Sequence, residues 1–320
     1  MVKQKIRVGV VGVGYLGRIH ARIYARMEAV ELVAVVDTNP QTAQAVAEEC
    51  RCAAYTDANQ LLGKIDAVSI VVPTSFHRDA AQPFLQAGIH MLLEKPIAPS
   101  YEESLQIVEW AEQSGVILQI GHLERFNAGV MALAERTKNP RFIESHRMGE
   151  FVARATDVDV VTDLMIHDID IILSLVKSKI RYISAVGTPV LTHHLDIANA
   201  RLEFDNGAVA NLTASRVSDK KLRRIRIFEE HRYEALDFVN QQIESVCAQP
   251  AEVEGQWPKI VREEVTVAAQ QPLDAELACF IRSVQTGEPP LVTGRVGLEA
   301  LEVALQVRAK IQENLAIGRV

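Results

Sequence analysis

The stretch Ile6-Arg7-Val8-Gly9-Val10-Val11-Gly12-Val13-Gly14-Tyr15-Leu16-Gly17 decides how the N-terminal half is read. Ile6 to Val11 is mostly β-branched and apolar, the composition of a buried strand. Gly12, Gly14 and Gly17 follow at G-x-G-x-x-G spacing, and a helix-compatible stretch continues through Ile19, Ile23 and Met27. Strand, tight turn and helix in this order present free backbone N–H groups at a helix N-terminus, where the pyrophosphate of a dinucleotide is held. The next apolar run, Leu32 to Val36, ends in Asp37, twenty residues after Gly17. A carboxylate there accepts hydrogen bonds from both adenosine ribose hydroxyls and repels a 2'-phosphate, which favours NAD over NADP. Gly12, Gly14, Tyr15, Leu16, Gly17 and Asp37 are therefore the first cofactor-binding candidates.

The alternation continues with a strand at Ala67 to Val72, a helix from Ser75 to Ala87, a strand at His90 to Leu93, a helix from Tyr101 to Ser114 and a strand at Val116 to Ile120. Apolar strands alternating with amphipathic helices predict a doubly wound parallel sheet covered on both faces, the NAD-binding domain, over residues 1–121. Ligands of such sheets lie at the carboxyl ends of the strands. Three polar segments leave those ends: Pro73-Thr74-Ser75-Phe76-His77, Glu94-Lys95-Pro96, and Gly121-His122-Leu123-Glu124-Arg125-Phe126. Pro73, Thr74, His77, Glu94 and Lys95 join the cofactor candidates. His122, Arg125 and Lys95 are placed on the substrate side.

Strict alternation stops after Gly121. Arg125 to Arg136 reads as a helix and Ile143 to Val152 as extended chain, and period-two runs follow at Ile197 to Phe204, Ala208 to Ala214 and Arg224 to Phe228. Asp205-Asn206-Gly207 is a hairpin signal between the first two runs. Residues 122–320 are thus expected to form an α+β domain with a mostly antiparallel open sheet, ending in a helix that Thr293 caps. Within it, Asp163 to Val176 reads as a helix. Asp163 and His167 are four apart and share a face, so the carboxylate can fix the imidazole tautomer and support its protonated form. Asp170, three beyond, is expected on the same side. Oxidising an alcohol needs a base with a pKa near 7 at the hydroxyl, for which His167 is the candidate, with Lys95 as donor to the developing alkoxide.

Composition narrows the function classes. The 320 residues are 48% hydrophobic and 23% charged, with a net charge of −7, so neither nucleic acid nor an anionic membrane surface is an expected partner. No apolar run approaches the roughly 18 residues of a membrane span. Cys50, Cys52, Cys247 and Cys279 lack the number and spacing of a disulfide framework, a zinc knuckle or a redox pair. A reduced, cytoplasmic protein without a metal is the expectation. The adjacent His193 and His194 point in different directions and make weak ligands.

With G-V-G-Y-L-G, P-T-S-F-H, E-K-P and D-x-x-x-H-x-x-D in order, the chain resembles the Gfo/Idh/MocA oxidoreductases over essentially its whole length. The resemblance implies a Rossmann domain and a C-terminal α/β domain whose open sheet makes a homo-oligomer, dimer or tetramer. It also implies hydride transfer at a sugar or cyclitol carbon, a catalytic set of Lys95, Asp163 and His167, and a cis peptide before Pro96. Where many members carry a glycine-rich run, this chain reads R-A-T-D-V-D-V-V from Arg154 to Val161. With Q-I-G-H-L-E-R-F-N and D-L-M-I-H-D-I-D, that run resembles the subgroup of UDP-N-acetylglucosamine 3-dehydrogenases of lipid A assembly.

That resemblance implies oxidation of the sugar 3-hydroxyl, with hydride passing to nicotinamide C4, His167 as general base, and a 3-keto product handed to an aminotransferase. Arg125, Arg154 and Arg216 are the candidate cations for the diphosphate, beside Lys95, His122, Asp163 and His167 at the sugar. Oxidation of a free sugar or cyclitol, and NAD-dependent cleavage of a glycosidic bond, are the alternatives within the family. A non-catalytic NAD sensor is the alternative outside catalysis, and it has no need for a general base.

Overall fold

The computed structural model describes residues 5–152, 158–251, 256–267 and 270–317. The chain divides into two compact units, Met1–Leu123 with Gln271–Glu299, and Glu124–Gln270 with Ala300–Val320.

The first unit is built from β1 (Ile6–Val11), α1 (Tyr15–Arg26), β2 (Val30–Val36), α2 (Pro40–Cys50), β3 (Ala53–Tyr55), β4 (Ala67–Ile70), α3 (His77–Gln86), β5 (His90–Glu94), α4 (Tyr101–Ser114) and β6 (Leu118–Gly121). Its sheet runs β3-β2-β1-β4-β5-β6 with every neighbouring pair parallel. The chain builds outward from β1 in one direction and then in the other, so a crevice opens between β1 and β4 at their carboxyl ends. The strands lie between covered faces, and β4 is buried at every position, as parallel sheets require. Helix ends follow local chemistry: Asn39 accepts from the N–H groups of Gln41 and Thr42 ahead of Pro40, and Ser100 accepts from that of Glu103. The sequence reading leaves α2 and β3 unassigned; α2 buries only Ala43, Val46 and Ala47, too thin a stripe to stand out.

The second unit holds α5 (Ala128–Arg136), β7 (Phe142–Met148), a π-turn at Val161–Met165 leading into α6 (Ile166–Val176), and β8 (Ile180–Thr188), β9 (Ile197–Phe204), β10 (Val209–Ser215), β11 (Leu222–Glu229), β12 (Arg232–Asp237), β13 (Gln242–Gln249) and β14 (Lys259–Thr266). These strands run β14-β13-β12-β11-β7-β10-β9-β8 in one sheet. The β7–β10 pair is parallel and the other pairs are antiparallel. Helices α5 and α6 pack on the sheet. Alternation sets the faces: along β9, Ala198, Ala200, Leu202 and Phe204 are buried while Asn199 and Arg201 are exposed. The expected β9–β10 hairpin is present, with Gly207 at φ 83° in its turn.

The C-terminal helices depart from the expected domain boundary. The sequence reading gives everything after residue 121 to the second domain, but α7 (Pro272–Thr286) belongs with the first unit. Leu277, Phe280 and Ile281 of α7 are buried in the same cluster as Val8, Val10, Val35 and Leu92. An amphipathic helix docks where its apolar stripe is covered, whatever its place in the chain. Thr293 caps α8 (Gly294–Ile317), its hydroxyl oxygen accepting from the Val296 N–H at 3.3 Å. Among the described residues, no helix is long and apolar enough to cross a membrane.

Candidate active site

At the carboxyl edge of the first sheet, the three glycines have separate steric reasons. Gly12 sits at φ +84°, in the left-handed region. A Cβ on Gly17 would stand 1.9 Å from the Gly12 carbonyl oxygen, so helix and turn meet backbone to backbone. Gly14 has nothing within 4 Å of where a Cβ would be, and it starts α1 without a side-chain cap. Bare backbone at an uncapped helix N-terminus fits a pyrophosphate. Asp37 leaves β2 beside this loop: its Oδ2 accepts from the Val13 N–H at 3.0 Å and its Oδ1 from that of Asn39 at 2.9 Å. The adjoining cleft, about 600 Å³, is lined by Tyr15, Arg18, Asn39 and Thr42 among others. These residues fit a dinucleotide.

Further along that edge, Glu94 ends β5 directly opposite Gly121 of β6. His20 of α1, fully buried, brings Nε2 to 3.2 Å from Glu94 Oε1. Lys95 follows, half-buried, and its peptide bond to Pro96 is cis. Pro73 and Thr74 lie after β4, where Thr74–Phe76 makes a 3-10 turn. His77 is placed differently from the expectation that it meets the cofactor. It is 1% exposed; Nε2 lies 2.9 Å from the Val72 carbonyl, and Nδ1 lies 3.0 and 3.1 Å from those of Pro96 and Ile97. Burial pushes its pKa down, against the pull of those carbonyls. His77 therefore ties the loop after β4 to the loop after β5. His122, just after β6, is equally buried.

In the second unit, the π-turn and α6 carry the other candidates. From Val161 to Ile172 every residue is buried except Asp163, Leu164 and His167. The carboxylate and the imidazole thus emerge together on an otherwise covered element, where a π-turn is itself a frequent mark of function. Asp170 does not join them. It is buried, with Oδ1 3.2 Å from Arg125 Nη1. Asp168, also buried, takes Arg147 by two contacts at 2.9 and 3.0 Å, and Glu124 takes the same guanidinium at 2.7 Å. The helix bearing His167 is therefore clamped from behind by two buried arginine–carboxylate pairs, each costly to break singly.

A cleft of about 160 Å³ opens beside Asp163, with Arg147, Arg216, Arg223 and Ser215 in its wall. Its position follows from the sheet: the carboxyl ends of parallel β7 and β10 share one edge with the start of antiparallel β11. Arg216 donates from Nη2 to the Val158 carbonyl at 2.6 Å and has Asp196 at 3.8 Å from Nε. Of the three expected phosphate cations, Arg216 lines this cleft, Arg125 faces Asp170 instead, and Arg154 lies outside the described residues. Arg147 and Arg223 are missed by the sequence reading, although a signal exists. Each occupies the core-facing parity of its strand, Ile143-Ser145-Arg147 and Arg223-Ile225-Ile227, where a charge needs a reason. Among the described residues there is no cluster of metal ligands, and all four cysteines are free.

The oxidoreductase family with an NAD-binding Rossmann fold matches residues 6–122, and the Gfo/Idh/MocA C-terminal domain matches 129–234. The chain is 38% identical to UDP-N-acetylglucosamine 3-dehydrogenase of Acidithiobacillus ferrooxidans, over 97% of this chain and 98% of that one. A solved structure of that enzyme superposes with a TM-score of 0.91 over the same shares. The NAD-dependent scyllo-inositol 2-dehydrogenase of Bacillus subtilis is 30% identical over 68% of this chain and 69% of its own. The scyllo-inositol dehydrogenase of Lactobacillus casei, solved with NAD(H) and scyllo-inositol, shares the fold at 21% identity, with a TM-score of 0.81 over 97% and 98% of the two chains. With an NAD-binding Rossmann unit, a matching C-terminal domain and a relative similar along its whole length, this chain belongs to the Gfo/Idh/MocA family of oxidoreductases.

Proposed function

We propose that this protein oxidises the 3-hydroxyl of UDP-N-acetylglucosamine to the 3-keto nucleotide sugar, using NAD. The observation that carries the reading is the 38% identity, over 97% of the chain, to a UDP-N-acetylglucosamine 3-dehydrogenase. The accessibility of Asp163 and His167 on an element otherwise buried supports it, since a base must reach the substrate.

In this reading Gly12, Gly14, Tyr15, Leu16 and Gly17 hold the pyrophosphate, Asp37 holds the adenosine ribose, and Pro73, Thr74, Glu94 and Lys95 border the nicotinamide end. Bound NAD supplies the hydride acceptor. His167 takes the proton of the 3-hydroxyl as the C3–O bond becomes a carbonyl. Asp163 keeps the imidazole in the tautomer that accepts that proton and steadies the imidazolium that results. Lys95 donates to the oxygen as its charge grows, an interaction strongest in the transition state. In this reading His122, buried just after β6, belongs to the sugar side of the site. The second unit serves substrate binding and, through the face of its sheet where Tyr182 and Val186 stand more than half exposed, assembly into a dimer or tetramer. The keto product suits an amine-transferring enzyme as its consumer.

The test is absorbance at the NADH band with NAD and UDP-N-acetylglucosamine, with a 3-aminotransferase and amino donor to draw the equilibrium forward. NADH formation that requires the UDP-sugar and disappears in Lys95→Ala supports the reading. A flat trace from protein that binds NAD rules out this substrate and moves the assay to scyllo-inositol, free sugars and glycosides.

A further inference from the structure

Arg147 and Arg223 face each other directly across β7 and β11, on the side of the sheet that the helices cover. Like charges opposed in this way repel, and a strand keeps them only with counter-charge at hand. Arg147 has it twice over, from Asp168 and Glu124, and its guanidinium also stacks 5.2 Å from the Phe238 ring centroid. Arg223 feels those two carboxylates only at a distance: among the described residues it makes no ion pair and no side-chain hydrogen bond. Burial first, and Arg147 second, push its pKa below the ordinary guanidinium value, against the weaker pull of Glu124 and Asp168. That is the direction expected of a cation without an anion of its own.

We infer that Arg223 holds a phosphate of the substrate in the cleft it shares with Arg147, Arg216, Ser215 and Asp163. The inference rests on the nucleotide-sugar reading above and gives that reading a residue it lacked. The cleft, about 160 Å³, is ample against the ~10–15 Å³ that a single water-sized probe occupies, and so has room for phosphoryl oxygens. Arg147 is already matched by carboxylates, so it supplies a fixed wall, while Arg223 offers an open planar fork suited to bidentate phosphate binding. Asp163 and Glu150 also line the cleft. Their charge disfavours a further anion beside His167, which leaves the phosphate to the Arg223 side. A neutral cyclitol has no use for such a residue.

The experiment titrates inorganic pyrophosphate, and separately UDP, into NADH-saturated protein by calorimetry, so that the Rossmann phosphate site is already filled. Wild type is compared with Arg223→Gln and Arg223→Lys, with melting temperatures taken alongside. Expected is a loss of tenfold or more in affinity for both probes in Arg223→Gln, partial recovery in Arg223→Lys, and a melting temperature unchanged or raised because the repulsion with Arg147 is gone. If wild type binds pyrophosphate through Arg223 but shows no preference for UDP, the anion subsite stands and the nucleotide reading falls. Equal binding by Arg223→Gln and wild type, no pyrophosphate binding by wild type, or a melting temperature well below wild type in Arg223→Gln each overturn the inference.

Discussion

Glu94 occupies the space that a side chain on Gly121 would need: a Cβ there would lie 2.8 Å from Glu94 Oε2 and 2.9 Å from its carboxyl carbon. The two residues are cross-strand partners on β5 and β6, and His20 stands 3.2 Å from the other carboxylate oxygen, Oε1. Glu94 is thus confined on two sides at the strand end where the nicotinamide is expected. Gly121→Ala should displace it, with an overpacking cost of about 1–3 kcal/mol and a weaker affinity for NAD. Denaturant melts and NAD titration check both, and unchanged NAD binding would detach Glu94 from the cofactor.

Asp37 has two tasks that one substitution can separate. Its carboxylate already accepts from the N–H groups of Val13 and Asn39, so it shapes the glycine loop, and in the proposed reading it also repels a 2'-phosphate. In Asp37→Ala the ratio of kcat/KM for NAD over NADP should fall by about tenfold or more, one tenfold step being about 1.4 kcal/mol of discrimination. An unaltered ratio, measured with both cofactors on the same substrate, would place ribose recognition elsewhere.

The first unit was legible because each of its signals is local. β1 and α4 fall where the sequence puts them, and Asp37 follows its strand, since glycine spacing, apolar runs and caps all act within a few residues. The second unit was legible only in part, because its decisive contacts join residues far apart in sequence. The parity of Arg147 and Arg223 was visible, but their facing registers on β7 and β11 were not. Arg125 looked like a free cation until the fold brought Asp170 to it, 45 residues away. The return of α7 to the first core is the same lesson on a larger scale: an apolar stripe announces burial and does not name its partner.

His167→Ala should reduce turnover by roughly 100-fold or more while NAD affinity stays the same. Asp163→Asn should lower kcat less and shift the pH–rate profile if, as proposed, it acts through the imidazole. Steady-state kinetics across pH distinguishes the two; full activity in His167→Ala would return this residue to a structural role.

The Arg125–Asp170 pair offers a contrast with Arg223. The Asp170 side chain is 2% exposed and that of Arg125 13%, so removing one partner strands a buried charge. Asp170→Leu alone should cost roughly 3–5 kcal/mol, whereas Asp170→Leu with Arg125→Met should recover much of it. If Arg125 were instead a phosphate ligand, Arg125→Met alone would raise KM for the UDP-sugar and leave the urea midpoint in place.

Asp196 gives a prediction in pH. Burial by itself would raise its pKa, but the backbone N–H groups of Thr192, Val190 and Leu191 and the Thr192 hydroxyl all donate to the carboxylate, at 2.7–2.8 Å, and hold it at about 2. A carboxylate depressed in the folded state stabilises fully above its unfolded pKa, near 3.9, and that stability drains away as pH falls through about 2. A displacement of nearly two pH units corresponds to roughly 2.5 kcal/mol. Asp196→Asn, whose amide cannot accept from so many donors, should therefore be less stable by about that amount at pH 7. The gap to wild type should narrow between about pH 4 and pH 2, as urea melts at stepped pH will read. Because Asp196 also lies 3.8 Å from Arg216, the same variant loosens one wall of the arginine cleft. A gap that stayed constant over that range would mean that the carboxylate charge contributes nothing and that only the loop geometry matters.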